Sequence, residues 1–156
     1  AQVLAAEGAL YYESTEVSVS GLTSIATGGP REVLAALLRP VGYRSNPASF
    51  RIYSAHFKAG SAFTSPADSA TRRLECTSLR NTLDLAPAGT NILLGGDTNF
   101  YGAWEGGYIR LTESQADNDG RLQDPFVLPG TWNSNSSMAL HHSQSPCRTG
   151  CWRRQN

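Results

Sequence analysis

The sequence predicts an α+β domain, and three stretches carry that expectation. Residues 50–57, Phe-Arg-Ile-Tyr-Ser-Ala-His-Phe, put Phe50, Ile52, Ser54 and His56 on one face and Arg51, Tyr53, Ala55 and Phe57 on the other, as a strand does. From Ser65 the chain opens a helix, with Ser65 at the N-cap, Pro66 at the first helical position and Asp68 in the first turn. The run Asn-Ile-Leu-Leu-Gly-Gly at 91–96 is short and continuously apolar, which predicts a strand covered on both faces and fits a strand, helix, strand succession.

The remaining elements follow in chain order. Leu10–Tyr12 and Val17–Val19 are rich in strand formers around a polar stretch, so the two are expected to pair as a hairpin. After the turn-forming Thr-Gly-Gly-Pro-Arg, the run from Arg31 to Tyr43 mixes helix-favouring Ala and Leu with bounding prolines, and a strand is expected there. In the helix after Ser65, Cys76, Leu79 and Leu83 are spaced three and four apart and form its apolar stripe. Arg72 and Arg73 on that helix are expected on a solvated face. Beyond Tyr101 the chain is polar and Gly-rich, with one short helix expected around Tyr108–Ser114 and no regular element after Gly130.

A length of 156 residues suits one domain, able to bury roughly 68–70% of its unfolded surface. Thirteen basic and thirteen acidic side chains cancel, so the bulk charge draws the chain to neither nucleic acid nor membrane, and any such partner needs a local site. No apolar run approaches the ~20 residues that span a bilayer. Three cysteines, Cys76, Cys147 and Cys151, leave at least one thiol unpaired within a monomer.

The chemistry concentrates where the apolar run stops, at Asp97-Thr98-Asn99. If the backbone stays extended there, Asp97 and Asn99 face one spot beyond the sheet edge, where ligands bind in layered sheets. Asp97 can orient or deprotonate a water or help hold a divalent ion, and Asn99 can donate to a phosphate oxygen gaining charge. A bare Asp-x-Asn also serves as a simple side-chain turn. His56, near the end of its strand, is brought toward the same edge.

Gly-Gly-Asp-Thr-Asn-Phe-Tyr, preceded by Tyr-Ser-Ala-His-Phe-Lys-Ala-Gly and a helix with Arg-Arg-Leu-Glu, resembles the endonuclease/exonuclease/phosphatase superfamily, which includes pancreatic deoxyribonuclease. The likeness spans about residues 8–146 and is nearest to secreted bacterial nuclease-like proteins. It implies a β-sandwich of two sheets flanked by helices, an extracellular setting, and a hydrolase that cuts phosphodiester or phosphomonoester bonds of nucleic acid or another phosphoester with Mg²⁺ or a similar ion. By position, Asp97 matches the acid that handles water and metal, Asn99 the amide that supports the phosphate, and His56 the histidine that contacts phosphate or moves a proton. Arg31 resembles a phosphate-contacting arginine of some members.

The early Asn and metal-binding Glu of that superfamily are not supplied by Ala-Gln-Val-Leu-Ala-Ala-Glu-Gly, and its closing Asp-His strand does not follow residue 146. The expectation is a partial sandwich lacking N- and C-terminal strands, residues of about 147–156 forming an out-of-frame tail, and no activity in the isolated chain. The alternatives are a phosphatase or lipid phosphodiesterase of the same superfamily, and a non-catalytic β-rich binding or surface module. His141, His142, Cys147 and Cys151 match no standard zinc spacing. Residues 115–120 lack the ligands of a calcium loop and predict a surface turn at Asp119-Gly120. Trp104 and Trp132 can stack on bases or sugars, or pack within the protein.

Overall fold

The computed structural model describes residues 2–5, 8–138 and 141. Its elements are β1 (Gln2–Ala5), β2 (Gly8–Tyr11), β3 (Val17–Ile25), β4 (Val33–Pro40), β5 (Phe50–His56), α1 (Pro66–Leu83), β6 (Asn91–Asp97) and α2 (Gly106–Thr112). Strands β3, β4, β5 and β6 form one mixed sheet in that order, antiparallel except for the parallel β5–β6 pair. The fold is α+β, with a four-stranded mixed sheet and two helices.

The expected hairpin between the first two strands is replaced by another pairing. β2 pairs with β1, and β3 turns back on β4 with an irregularity between Ser20 and Thr23. β2 thus belongs to a separate two-stranded sheet with β1, and it also lies near β4.

The stretch that mixes helix and strand formers is a strand, β4, and it is the most deeply covered one. Its Val33, Leu34, Ala35, Ala36 and Leu38 are all buried. A strand flanked on both sides and covered on both faces can be apolar throughout. The pattern expected of β6 belongs here.

β6 is the sheet's last strand, and its exposure alternates: Ile92 and Leu94 are half-buried, whereas Leu93 is 59% exposed. It is therefore not covered on both faces. The ladder explains the asymmetry, because Ile92 and Leu94 share the face of Ala35, Tyr53 and Ala55, on which Cys76, Leu79 and Leu83 of α1 pack. Leu93 lies on the other face, in register with Ile52.

The stripe on α1 is as expected, with Cys76, Leu79 and Leu83 fully buried. Burial pushes the Cys76 thiol well above its ordinary range, so it packs as a small apolar group. The short helix α2 forms two residues before its expected start and adds Leu111 to the same core. The turn at Asp119-Gly120 forms, but Gly120 is buried against the end of α1, its N–H donating to Asp84 Oδ1 at 3.0 Å. Arg80 anchors the same region, donating to the carbonyls of Leu111, Glu113 and Asp117.

No helix among the described residues is long and apolar enough to cross a membrane.

Candidate functional site

The parallel pairing of β5 and β6 ends both strands at one edge. The last rung sets His56 opposite Asp97, and Phe57 N–H extends the ladder by donating to Asp97 O at 3.1 Å. Because opposed residues of a ladder share a face, both side chains project from the side away from α1. His56 Nε2 stands 3.8 Å from Asp97 Oδ2, and the side chains are 48% and 53% exposed. The spacing suits an ion pair or a bridging water and is too long for a direct hydrogen bond.

Asn99 reaches this edge by another route than the one expected. β6 ends at Asp97 and Asn99 adopts a left-handed backbone, φ 53°, so the chain does not stay extended through Asp-Thr-Asn. Asp97 Oδ1 accepts the Asn99 N–H at 3.1 Å, which is the side-chain turn favoured by short acids and amides. Asn99 Nδ2 then donates to Phe57 O at 3.1 Å, fastening the turn to the residue after His56. Asp97 Oδ1 thus shapes the turn while Oδ2 remains on the His56 side.

Arg31 precedes β4, whose antiparallel register with β5 brings the start of β4 to the same end of the sheet as His56. It follows the turn between β3 and β4, its carbonyl accepts the Thr27 hydroxyl at 3.4 Å, and its charge acts on Glu75 of α1. His56, Asp97 and Asn99 are joined by contacts, and the charge of Arg31 acts on Glu75, which holds the Lys58 N–H just after β5.

The loops behind the site are staked by a buried charge network that no local pattern announces. Arg72 is fully buried, not solvated: Nε and Nη2 donate to Glu105 Oε2 at 3.0 and 2.7 Å, and Nη1 donates to the carbonyls of Lys58 and Gly60, both at 2.9 Å. Glu105 also accepts the Tyr101 N–H and the Ser69 hydroxyl. Arg72 therefore holds the segment leaving β5, and Glu105 the segment leaving β6. Nothing in the local sequence marks the pair, since Glu105 lies far along the chain and its partners include backbone groups. Arg73, the neighbour of Arg72, does face solvent.

Glu75 completes the staking from α1. Its Oε2 accepts the Lys58 N–H at 2.9 Å, while Oε1 is buried without a hydrogen-bond partner. Burial pushes its carboxyl up from the ordinary glutamate range, offset in part by the Lys58 N–H and by the charge of Arg31. A carboxyl raised in the folded state stabilises fully below its unfolded value, and that contribution is lost as pH rises through the folded one. Glu75→Gln can keep the Lys58 bond without the buried charge. It is expected to raise the urea midpoint above the ordinary glutamate range and to flatten its fall with pH there. A variant whose midpoint follows the wild-type pH profile shows that Glu75 is not the group responsible.

A cavity of about 630 Å³ runs along the free edge of β6, lined by Ile92, Leu94, Phe100, Tyr108, Leu122 and Trp132 among others. Neither His56 nor Asp97 lines it. Tyr108 donates to Asp124 Oδ2 at 3.0 Å and its hydroxyl is pushed up to about 12 by burial and that carboxylate, so it stays protonated. Trp132 is 6% exposed and belongs to the core, whereas Trp104 is 42% exposed.

Among the described residues no group of three or more His, Cys, Asp or Glu side chains converges to hold a metal ion. Of the histidines and cysteines near the C-terminus, His142, Cys147 and Cys151 lie outside the described residues. At the His56 edge Asp97 supplies a carboxylate, one oxygen of which is engaged by Asn99 N–H. Mg²⁺ prefers an octahedron of oxygens, usually with one or two carboxylates beside water and substrate phosphate. The described residues do not fit a resident ion of that kind. Comparison with models of known protein families, and with curated proteins, found no match.

Proposed function

We propose that His56, Asp97 and Asn99 form the phosphate-facing part of a phosphoesterase site, in a chain of the endonuclease/exonuclease/phosphatase kind whose two-sheet sandwich β1 and β2 begin on the side of β4. One observation carries the proposal: an exposed imidazole and carboxylate, 3.8 Å apart, meet at the carboxyl ends of two parallel strands with an oriented amide beside them. Asp97 Oδ2 takes a proton from, or orients, the attacking water. His56 contacts the phosphate or carries a proton, and Asn99, held by Phe57 O, turns its second N–H toward a phosphate oxygen. Phosphodiesters of nucleic acid are the first substrate class, with phosphomonoesters and lipid phosphodiesters behind them.

A second reading has its own observation, the bond from Asn99 N–H to Asp97 Oδ1, which is all that a structural turn in a non-catalytic module requires. Phosphate binding separates the two. In NMR titrations with inorganic phosphate, the His56 ring and Asn99 side-chain amide signals are expected to move, the ring signals to stop moving in Asn99→Ala and the amide signals to stop moving in His56→Ala. Asp97→Asn should strengthen binding about fivefold, because a like charge ~4 Å away in a water-like medium opposes the anion by roughly 1 kcal/mol. Fixed signals at millimolar phosphate leave the turn reading standing. With no group of three or more His, Cys, Asp or Glu converging among the described residues, the purified chain is expected to show no Mg²⁺-dependent nuclease activity, and robust cleavage lost in Asp97→Ala overturns that expectation.

A further inference from the structure

We propose that Phe63, Tyr101 and Trp104 form a platform on which unpaired bases of a single-stranded nucleic acid stack, with Arg73 meeting its phosphates. This rests on the reading of the His56 edge as a phosphate-ester site and narrows its substrate.

The three rings come from the segments leaving β5 and β6, the same edge that carries His56 and Asp97. Phe63 meets Tyr101 edge-on at 5.7 Å between centroids and Trp104 at 5.3 Å. Yet Phe63 remains 59% and Trp104 42% exposed, so their mutual packing leaves ring surface in water. Tyr101 is the inner member, with the guanidinium of buried Arg72 5.6 Å from its ring centre.

The platform is held ready. Trp104 Nε1 donates to Thr131 Oγ1 at 3.2 Å, which pins the indole by its edge. A side chain at Gly102 would run into that indole, its Cβ falling 2.5 Å from Nε1, so glycine there permits the close approach. Rings fixed before binding lose little conformational freedom on meeting a ligand.

The charge beside the rings selects among ligands that stack. Arg73 is exposed, its Cδ lies 2.9 Å from where a Cβ on Gly106 would stand, and it forms no ion pair or side-chain hydrogen bond among the described residues. The chain as a whole is neutral, so this cation is a local feature. A neutral sugar can use the rings and gains only hydrogen bonds from Arg73, without charge attraction. An unpaired strand uses both, because every base offers a π-face and every link a phosphate, whereas duplex bases are already stacked on each other.

The experiment is fluorescence anisotropy of a labelled oligothymidine of about ten nucleotides with the full chain in EDTA. Trp104→Ala and Phe63→Ala are each expected to weaken binding by about five- to a hundredfold, and Arg73→Ala to reduce the salt slope by about 0.7. A duplex of equal length is expected to bind less tightly and a neutral oligosaccharide not measurably. Thermal midpoints are recorded alongside, and if Trp104→Ala fails to fold, Phe63→Ala decides. Binding unchanged by the ring substitutions, preference for the duplex, or no binding at all overturns the proposal. Phosphate-induced shifts at His56 and oligonucleotide binding by the rings are separate readouts, so either reading can fail alone.

Discussion

Arg72→Met is expected to destabilise the protein by about 3–5 kcal/mol, the usual effect of removing one partner from a buried ion pair. Arg72 and Glu105 are both without solvent exposure, and their shortest contact is 2.7 Å. The substitution leaves Glu105 buried with its charge uncompensated and frees the carbonyls of Lys58 and Gly60. Urea denaturation followed by circular dichroism measures the loss. The double variant Arg72→Met/Glu105→Gln should recover part of it, since the amide can still accept from Tyr101 N–H while the orphaned charge is gone. A loss below about 1 kcal/mol would place Arg72 among exposed pairs, which contribute little.

Gly96→Ala is expected to cost at least about 2 kcal/mol, because Gly96 holds φ at 122°, a backbone region that side chains adopt only under strain. Space forbids the change as well, since an added Cβ would run into the carbonyl of Ala55 on the neighbouring strand. That rung precedes the one joining His56 to Asp97. The variant should therefore move β6 away from β5 at the site itself, weakening phosphate binding as well as stability. Gly95→Ala is the control, because an added Cβ at Gly95 meets nothing within 4 Å and its backbone is not in the strained region. Equal losses in the two variants would mean that the tight approach at Gly96 does not set the site.

Much of the fold was legible in local pattern. The alternation of residues 50–57, the proline-led start of α1 and the spacing of Cys76, Leu79 and Leu83 all express one-dimensional periods that backbone geometry imposes. The site was legible to the extent that strand ends can be located: once β5 and β6 run parallel, His56 and Asp97 must share an edge. Which way each neighbour turned was not. Asn99 was expected to follow Asp97 in an extended chain, but the bond between Asp97 Oδ1 and Asn99 N–H bends the backbone, and a contact with Phe57 returns the amide to the edge.

The apolar run at 91–96 shows the limit most plainly. A continuous apolar stretch states that a strand can be buried, not that it is, and its place at the sheet's end leaves Leu93 in water while β4 takes the doubly covered position. Arg72 shows the reverse: a charged residue on a helix belongs in solvent until a distant carboxylate and two carbonyls are found around it. The amino-acid order by itself determined most of the helix and strand segments, β1 excepted, and which polar residues close β5 and β6. Strand order, the partner of the buried arginine and the gathering of Phe63, Tyr101 and Trp104 were decided only by tertiary structure. These depend on contacts between residues far apart in the chain, and no local period records such contacts.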